Sequence, residues 1–237
     1  MSVATPRPAS TVVVLRAADP AFEVLMVRRN DQVAFMAGAY VFPGGRVDDA
    51  DRAVTPPADA RAARFDDLDA AAEWPYRVAA SRELAEEANV RVPPSDLVPI
   101  AHWVTPEIEI RRYDTRFFLT VMPEGQSPRH DAGETTALEW LAPHDAIARC
   151  RAGDIQLPPP TWTTLRRLER FATLAAALDW ARTTPIARVM PGFVRGEAGT
   201  VLTLPGDPSY PAMPGWEVPE DTRFLLEEGR GWRPIPA

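Results

Sequence analysis

The stretch Arg82-Glu83-Leu84-Ala85-Glu86-Glu87 decides how this chain of 237 residues is interpreted. It lies within residues 75–89, PYRVAASRELAEEAN, a run rich in alanine, leucine and glutamate that predicts one helix. Pro75 suits the first helical position, and Asn89 suits the stop. On such a helix the three glutamates share an arc of about 100°. A face with three crowded carboxylates is either solvated surface or a site for a hard divalent cation such as Mg²⁺ or Mn²⁺.

Two strand-like runs and a glycine turn precede this helix. TVVVLR at residues 11–16 and FEVLMVRR at residues 22–29 predict an antiparallel hairpin. GAYVFPGG at residues 38–45 follows, and residues 46–74 then lose all periodicity and carry eight acidic residues against four arginines. We therefore expect a hairpin, a tight turn and an inserted loop ahead of the acidic helix.

The turn and the helix together resemble the Nudix hydrolase family, whose box reads G-x5-E-x7-R-E-U-x-E-E-x-G-U, with U an aliphatic residue. The glycine near the end of the box is Asn89 here, and asparagine is the next-best residue for a left-handed helix cap. The positions that match the box are Gly45, Arg82, Glu83, Leu84, Glu86, Glu87 and Val90.

The spacing departs from the box. Its glycine and its arginine lie 37 positions apart in this chain, 23 more than in the family pattern. The first glutamate of the box would fall on Trp74. Either Glu73, one position away, or an acid of the insertion such as Asp48 or Asp49 takes its place, and the sequence leaves these alternatives open.

An expanded box of this kind resembles the coenzyme A diphosphatase-like branch of the family. Four downstream segments strengthen the comparison: HWVTP at 102–106, RRYDTRFF at 111–118, EWLAP at 139–143 and LPPPTW at 157–162. The resemblance runs from about residue 11 to residue 182.

The resemblance implies an α/β fold, the Nudix α/β/α sandwich with a mixed sheet, in which the box forms a loop-helix-loop that carries metal ions. We expect a Nudix domain over residues 1–183, with its insertion at about 46–74, and a proline-rich C-terminal extension over residues 184–237 that packs on it. Residue patterns downstream of the box predict strands at 97–105, 113–122 and 137–143 and helices at 144–151 and 161–182.

The resemblance also implies roles for individual residues. Glu83, Glu86 and Glu87 correspond to the metal ligands, and Arg82 corresponds to the arginine that orients a box glutamate. Glu134 lies where the family often adds an acid as base or further ligand, although a surface turn acid is the alternative. Possible substrate contacts are the two turn glycines and three arginines that flank a strand: Gly44, Gly45, Arg111, Arg112 and Arg116. The alternative for the three arginines is that they are solvated residues at the edge of the strand.

Composition narrows the function further. The chain contains 26 arginines and no lysine, which excludes a P-loop lysine, a Schiff-base lysine and a lysine general base. A net charge of −7 argues against binding to a nucleic-acid backbone. One cysteine, Cys150, cannot form an internal disulfide, and the first apolar run is too short for a signal segment or a membrane span. We expect a cytoplasmic protein that binds neither nucleic acid nor membrane.

The sequence therefore predicts a metal-dependent pyrophosphohydrolase that acts on a nucleoside diphosphate linked to another group. The substrate that we expect first is coenzyme A or an acyl-CoA, whose hydrolysis gives 3′,5′-ADP and a 4′-phosphopantetheine. The alternatives are an ADP-ribose, NADH or nucleotide-sugar pyrophosphatase and a catalytically weak Nudix-like ligand-binding module. We expect the acidic insertion to form part of the cleft wall and to affect substrate choice, and the family resemblance implies a homodimer.

Overall fold

The architecture is built around the predicted hairpin. Strand β1 (Arg7–Ala17) pairs antiparallel with β2 (Phe22–Arg29) and parallel with β6 (Tyr113–Val121), which pairs antiparallel with β5 (Val98–Val104). The run Val12–Leu15 at the centre of β1 is fully buried, as a strand covered on both faces requires. The sheet is therefore mixed, with the hairpin and β6 at its middle.

This computed structural model describes residues 3–19, 21–30, 37–60, 63–130, 135–196, 199–213, 216–217, 219, 221–227 and 231–237. The other strands in these ranges are β3 (Tyr40–Val41), β4 (Gly44–Arg46), β7 (Thr135–Leu141), β8 (Arg188–Val189), β9 (Gly192–Gly196), β10 (Gly199–Thr203), β11 (Arg223–Glu227) and β12 (Gly231–Ile235). The helices are α1 (Asp49–Arg52), α2 (Ala70–Ala88), α3 (Pro143–Ala152), α4 (Pro159–Leu168) and α5 (Leu174–Thr183).

Helices cover both faces of the main sheet. Within the described residues that sheet has eight strands, ordered β3-β2-β1-β6-β5-β8, with β4 paired to β1 and β7 paired to β2. Helix α2 covers one face through Tyr76, Leu84 and Ala88, while α3, α4 and α5 cover the other through residues such as Ile147 and Leu165. The predicted α/β/α sandwich with a mixed sheet is confirmed.

The C-terminal segment forms a second sheet. Its four described strands are antiparallel in the order β12-β11-β10-β9, whereas β8 joins the edge of the main sheet beside β5. The ring of Phe224 packs edge-on against Trp162 of α4, and Trp216 packs edge-on against Trp103 of β5. Among the described residues, no helix has the length and apolar character that crossing a membrane demands.

Two helix predictions are wrong in their bounds. Helix α2 begins at Ala70, five residues early, because the Asp69 carboxylate accepts a hydrogen bond from the Ala72 amide at 2.8 Å, so that Pro75 lies inside the helix. The predicted helix 161–182 is two helices, α4 and α5, and Thr173 caps the second by accepting from the Ala176 amide. The apolar spacing stays in phase across the break, so periodicity alone could not reveal it.

Candidate active site

The glycine turn packs directly against the C-terminal half of α2. Strand β4 pairs with Ala9, Ser10 and Thr11 of β1 and so carries Gly44 and Gly45 to the acidic helix face. The Gly44 amide donates to Glu87 Oε2 at 2.9 Å. A Cβ on Gly45 would lie 2.3 Å from the carboxyl carbon of Glu83, and a Cβ on Gly44 would lie 2.3 Å from the Ser10 carbonyl oxygen. Both positions therefore favour glycine, because neighbouring atoms lie where a Cβ would be.

Arg82 connects two of the three box glutamates. Its Nη1 donates to Glu83 Oε1 at 2.8 Å and to Glu86 Oε2 at 3.0 Å. Its other edge donates to Asp51, from Nε at 3.0 Å and from Nη2 at 2.9 Å. Hydrogen bonds to Asp51, and then to Glu83, raise the pKa of Arg82 above its usual range. The guanidinium is a fixed bridge from the insertion to the predicted metal ligands.

Asp51 is the functional residue that sequence reasoning missed. It lies in α1 within the insertion, is 2% exposed, and also accepts a hydrogen bond from the Asp48 amide at 2.8 Å. Asp48 itself is half exposed and stays 3.8 Å from Arg82. An acidic residue three positions after Asp48 is the pattern of a capping box, and this was the one local signal that could have identified Asp51.

Glu73 does not reach this cluster. It is buried near the start of α2, where it forms an ion pair with Arg77 at 2.5 Å and accepts from the Arg64 amide at 2.9 Å. Because α2 rises about 1.5 Å per residue, Glu73 lies roughly 15 Å along the helix from Glu83. Of the acids that the sequence left open, neither Glu73 nor Asp48 forms the close, two-bond contact with Arg82 that Asp51 makes.

The donor chemistry of the box fits a hard divalent cation. The carboxylates of Glu83, Glu86 and Glu87 supply oxygen donors, the type that Mg²⁺ and Mn²⁺ prefer. Because Gly45 has no side chain, the Glu83 carboxylate lies directly against the turn, where any larger residue would collide with it. As placed, Arg82 holds two of the carboxylates and the Gly44 amide contacts the third, and no three acidic, histidine or cysteine side chains converge on one point within the described part of the chain. Arg82 and the Gly44 amide therefore set the orientation of the three carboxylates.

Two of the three predicted substrate arginines are buried and donate hydrogen bonds to other groups of the protein. Arg116 is 1% exposed and donates to both carboxylate oxygens of Asp67 at 2.7 Å. Burial disfavours its charge, but the bonds to Asp67 and the nearby Asp114 outweigh that effect and raise the pKa of Arg116. Arg112 is also buried and donates to the carbonyl oxygens of Thr105 and Ala4. These placements argue against both as phosphate ligands.

The third predicted substrate arginine, Arg111, is exposed in the connection between β5 and β6. Glu134 falls in residues 131–134, outside the described residues, so its role as base or extra ligand stays a prediction. His102 is buried and contacts both Arg116 and Asp114.

A mixed sheet flanked by helices, with a glycine turn held against three helical carboxylates, is the arrangement that the Nudix resemblance implies for a hydrolase of phosphoanhydrides. Comparison with known proteins gives the family. The NUDIX domain family matches residues 5–161, so the chain belongs to the NUDIX family. Members of this family generally use divalent metal ions.

Named relatives place the chain more closely. Acyl-coenzyme A diphosphatase NUDT19 of Xenopus laevis is 24% identical over 276 residues, covering 81% of this chain and 72% of that protein. The human protein of the same name is 26% identical over 271 residues, covering 80% and 72%. A NUDIX hydrolase from Alicyclobacillus acidocaldarius has a similar crystal structure, with a TM-score of 0.62, 28% identity, and coverage of 75% of this chain and 97% of that chain.

These findings confirm the resemblance drawn from the box. The chain is a Nudix pyrophosphohydrolase, and it resembles the coenzyme A diphosphatase-like branch of the family. The expanded spacing between the glycine turn and Arg82 did not obscure this membership, because the turn and the helix meet in space as the box requires.

Proposed function

We propose that this protein hydrolyses the diphosphate of coenzyme A or an acyl-CoA, giving 3′,5′-ADP and a 4′-phosphopantetheine, with Mg²⁺ or Mn²⁺ as the cofactor. The observation that carries the proposal is the held arrangement of Glu83, Glu86 and Glu87 beside the glycine turn. The similarity to proteins named acyl-coenzyme A diphosphatase supports the substrate.

The metal ions, when bound, neutralise the diphosphate and lower the pKa of a water molecule near neutrality. The chain's own residues position the ligands for this task. Arg82 orients Glu83 and Glu86, and the Gly44 amide orients Glu87 from the opposite side. Glu134 as general base, and Arg111 as a contact to an outer phosphate, remain parts of the proposal.

Asp51 takes, in this proposal, the place of the first glutamate of the box. A carboxylate that holds a ligand-orienting residue tunes a metal site without touching the metal, and such partners typically matter by about 10- to 100-fold. In this proposal the insertion contributes a positioning residue to the active site, in addition to part of the wall of the substrate cleft.

The test compares wild type with Glu87→Gln on coenzyme A, an acyl-CoA, ADP-ribose, NADH and a diadenosine polyphosphate, each with Mg²⁺ and with Mn²⁺. We expect wild type to cleave coenzyme A or the acyl-CoA fastest. Glu87→Gln should lower kcat/KM by about 10³-fold, because the site supplies several kcal/mol of charge stabilisation. Asp179→Asn, a highly exposed acid of α5, is the matched charge control and should leave the rates unchanged.

Three other outcomes have distinct meanings. Faster cleavage of ADP-ribose or NADH would favour the alternative pyrophosphatase. Substrate binding without cleavage would favour a ligand-binding module. Equal rates for wild type and Glu87→Gln on every substrate would show that catalysis does not use this site.

The assembly and the division of the chain belong to the same proposal. We expect a homodimer in the cytoplasm, with a Nudix domain over residues 1–183 and an extension over residues 184–237. Light scattering of the purified chain tests the dimer, and limited proteolysis around residue 184 tests the boundary.

A further inference from the structure

A polar groove lies at the C-terminal end of α2. Its volume is about 520 Å³, within the size range of small-ligand sites. The lining comes from the end of the helix and from the loop after β6, namely Asn89, Arg91, Gly125, Gln126, Ser127 and Arg129. No acidic residue lines it, in a protein whose net charge is −7.

Hydrogen bonds fix both walls of this groove. Asn89 has a left-handed backbone with φ of 54°, which ends the helix and turns the chain. The Gln126 side-chain amide bonds both backbone groups of Arg91, accepting at 2.8 Å and donating at 2.9 Å. The Arg129 amide donates to the Ala88 carbonyl at 2.9 Å. The two arginines are therefore presented from anchored backbone.

The guanidinium groups of Arg91 and Arg129 have no hydrogen-bond or ion-pair partner among the described residues. Two of the last four carbonyls of α2 have backbone partners instead, because Ala88 accepts from the Arg129 amide and Ala85 accepts from the Asn89 amide. Two planar cations with unused donors are suited to a phosphate, which each can bind through two parallel hydrogen bonds. The groove is complementary to an anion.

The groove lies next to the catalytic turn of the helix. Asn89 follows Glu87 by two residues, which is about 3 Å along the helix axis. A substrate whose diphosphate lies at Glu83, Glu86 and Glu87 can therefore extend a second anionic group past the end of α2. The scissile diphosphate and the 3′-phosphate of coenzyme A are carried on the same ribose, so the molecule has such a group close by.

From this we infer that Arg91 and Arg129 bind a phosphate monoester that the substrate carries in addition to its scissile diphosphate. This inference rests on the proposed function, and it makes the groove the element that distinguishes coenzyme A from substrates without a 3′-phosphate. ADP-ribose and NADH lack that group and gain nothing from the groove.

The test measures kcat/KM for coenzyme A and for dephospho-coenzyme A with wild type and with the double variant Arg91→Gln/Arg129→Gln. Wild type should prefer coenzyme A by about 10- to 100-fold, the effect of one or two hydrogen bonds between charged groups. The double variant should lose that preference through a higher KM for coenzyme A, with dephospho-coenzyme A within twofold of wild type. Arg182→Gln/Arg195→Gln removes two exposed arginines elsewhere and should keep the preference.

A second measurement separates this inference from the proposed function. Calorimetry compares the binding of 3′,5′-ADP and 5′-AMP to the same three proteins, whether or not coenzyme A is cleaved. Tighter binding of 3′,5′-ADP that is lost only in the double variant supports the groove even if hydrolysis fails. An unchanged preference in the double variant, or an equal loss for both ligands at an unchanged melting temperature, overturns the inference.

Discussion

Arg82 and Arg116 secure opposite parts of the same insertion, yet their surroundings differ. Arg82 is partly exposed and links Asp51, near the start of the insertion, to Glu83 and Glu86. Arg116 is buried and binds Asp67, near the end of the insertion, with His102 and Asp114 beside it. One guanidinium acts on groups that can bind metal, whereas the other has only structural neighbours. The same residue pair, arginine with aspartate, thus contacts the proposed metal ligands at one site and anchors a loop at the other.

Aromatic contacts sharpen this contrast. The Arg116 guanidinium lies over the rings of Phe65 and Tyr76, at 4.9 Å and 5.3 Å from their centroids. Phe65 in turn packs edge-on against Phe118 of β6. The end of the insertion is therefore part of the hydrophobic core beneath α2. We therefore expect any effect of the insertion on substrate choice to come from its earlier part, residues 46–60.

Among the changes that test this contrast, Arg116→Met should have the largest effect, because it replaces the buried cation with a shorter, uncharged side chain. Breaking a buried ion pair typically costs 3–5 kcal/mol, and because Asp67 can regain water we expect a loss of about 3 kcal/mol in the free energy of unfolding. The urea midpoint measures it. The folded fraction should retain wild-type kcat/KM; an intact stability with a large rise in KM would instead return Arg116 to the substrate-binding role that the sequence suggested.

Asp51→Asn should act on catalysis more than on folding. Asparagine keeps the shape but loses the charge that holds Arg82, so Glu83 and Glu86 become less well oriented. We expect kcat/KM to fall by about 10- to 100-fold, equivalent to about 1.4–2.7 kcal/mol. More Mg²⁺ should be needed for half-maximal activity.

The matched control for this change is Asp48→Asn, because Asp48 is half exposed and lies 3.8 Å from Arg82. It should alter neither rate nor Mg²⁺ dependence by more than about twofold. Asp51→Glu should recover part of the activity. If Asp51→Asn lowers the melting temperature and leaves the Mg²⁺ dependence as in wild type, Asp51 is a structural brace, and the contrast with Arg116 disappears.

The glycine turn offers a smaller and more local comparison. In Gly45→Ala the new Cβ meets the flexible end of Glu83, so the fold should survive while activity falls about tenfold through a displaced carboxylate. In Gly44→Ala the new Cβ meets the Ser10 carbonyl oxygen, which the β1–β4 pairing holds in place. Stability should then fall by about 2 kcal/mol. Paired melting curves and rates decide this, and identical behaviour of the two variants would contradict it.

Local signals made the active helix predictable, and distant pairings made its partners unpredictable. The hairpin, the acidic face of α2 and the left-handed cap at Asn89 each follow from a few consecutive residues. By contrast, Asp51 meets Arg82 across 31 positions, and Asp67 meets Arg116 across 49. A loop without periodicity gives no hint of which of its acids will be buried. The resemblance to the box therefore pointed to Arg82 and the glutamates, but not to Asp51, which accepts two hydrogen bonds from Arg82.

The smallest effect expected is that of Asp67→Asn, and it should depend on pH. Its hydrogen bonds with Arg116 lower the pKa of Asp67 below the ordinary value of 3.8, which means that the folded state favours the charged form. The resulting stabilisation is present above that ordinary value and is lost as the pH falls through the lower, folded-state pKa.

Because nearly half of the Asp67 side chain is exposed, its contribution to the free energy of unfolding at pH 7 should be below about 1 kcal/mol. Urea midpoints of wild type and Asp67→Asn should therefore differ at pH 7 and converge as the pH falls below the folded-state pKa of Asp67. Asp66→Asn, at the exposed neighbouring position, is the matched control. A difference between wild type and Asp67→Asn that is the same at pH 7 and at acidic pH would mean that Asp67 anchors the insertion by shape, not by charge.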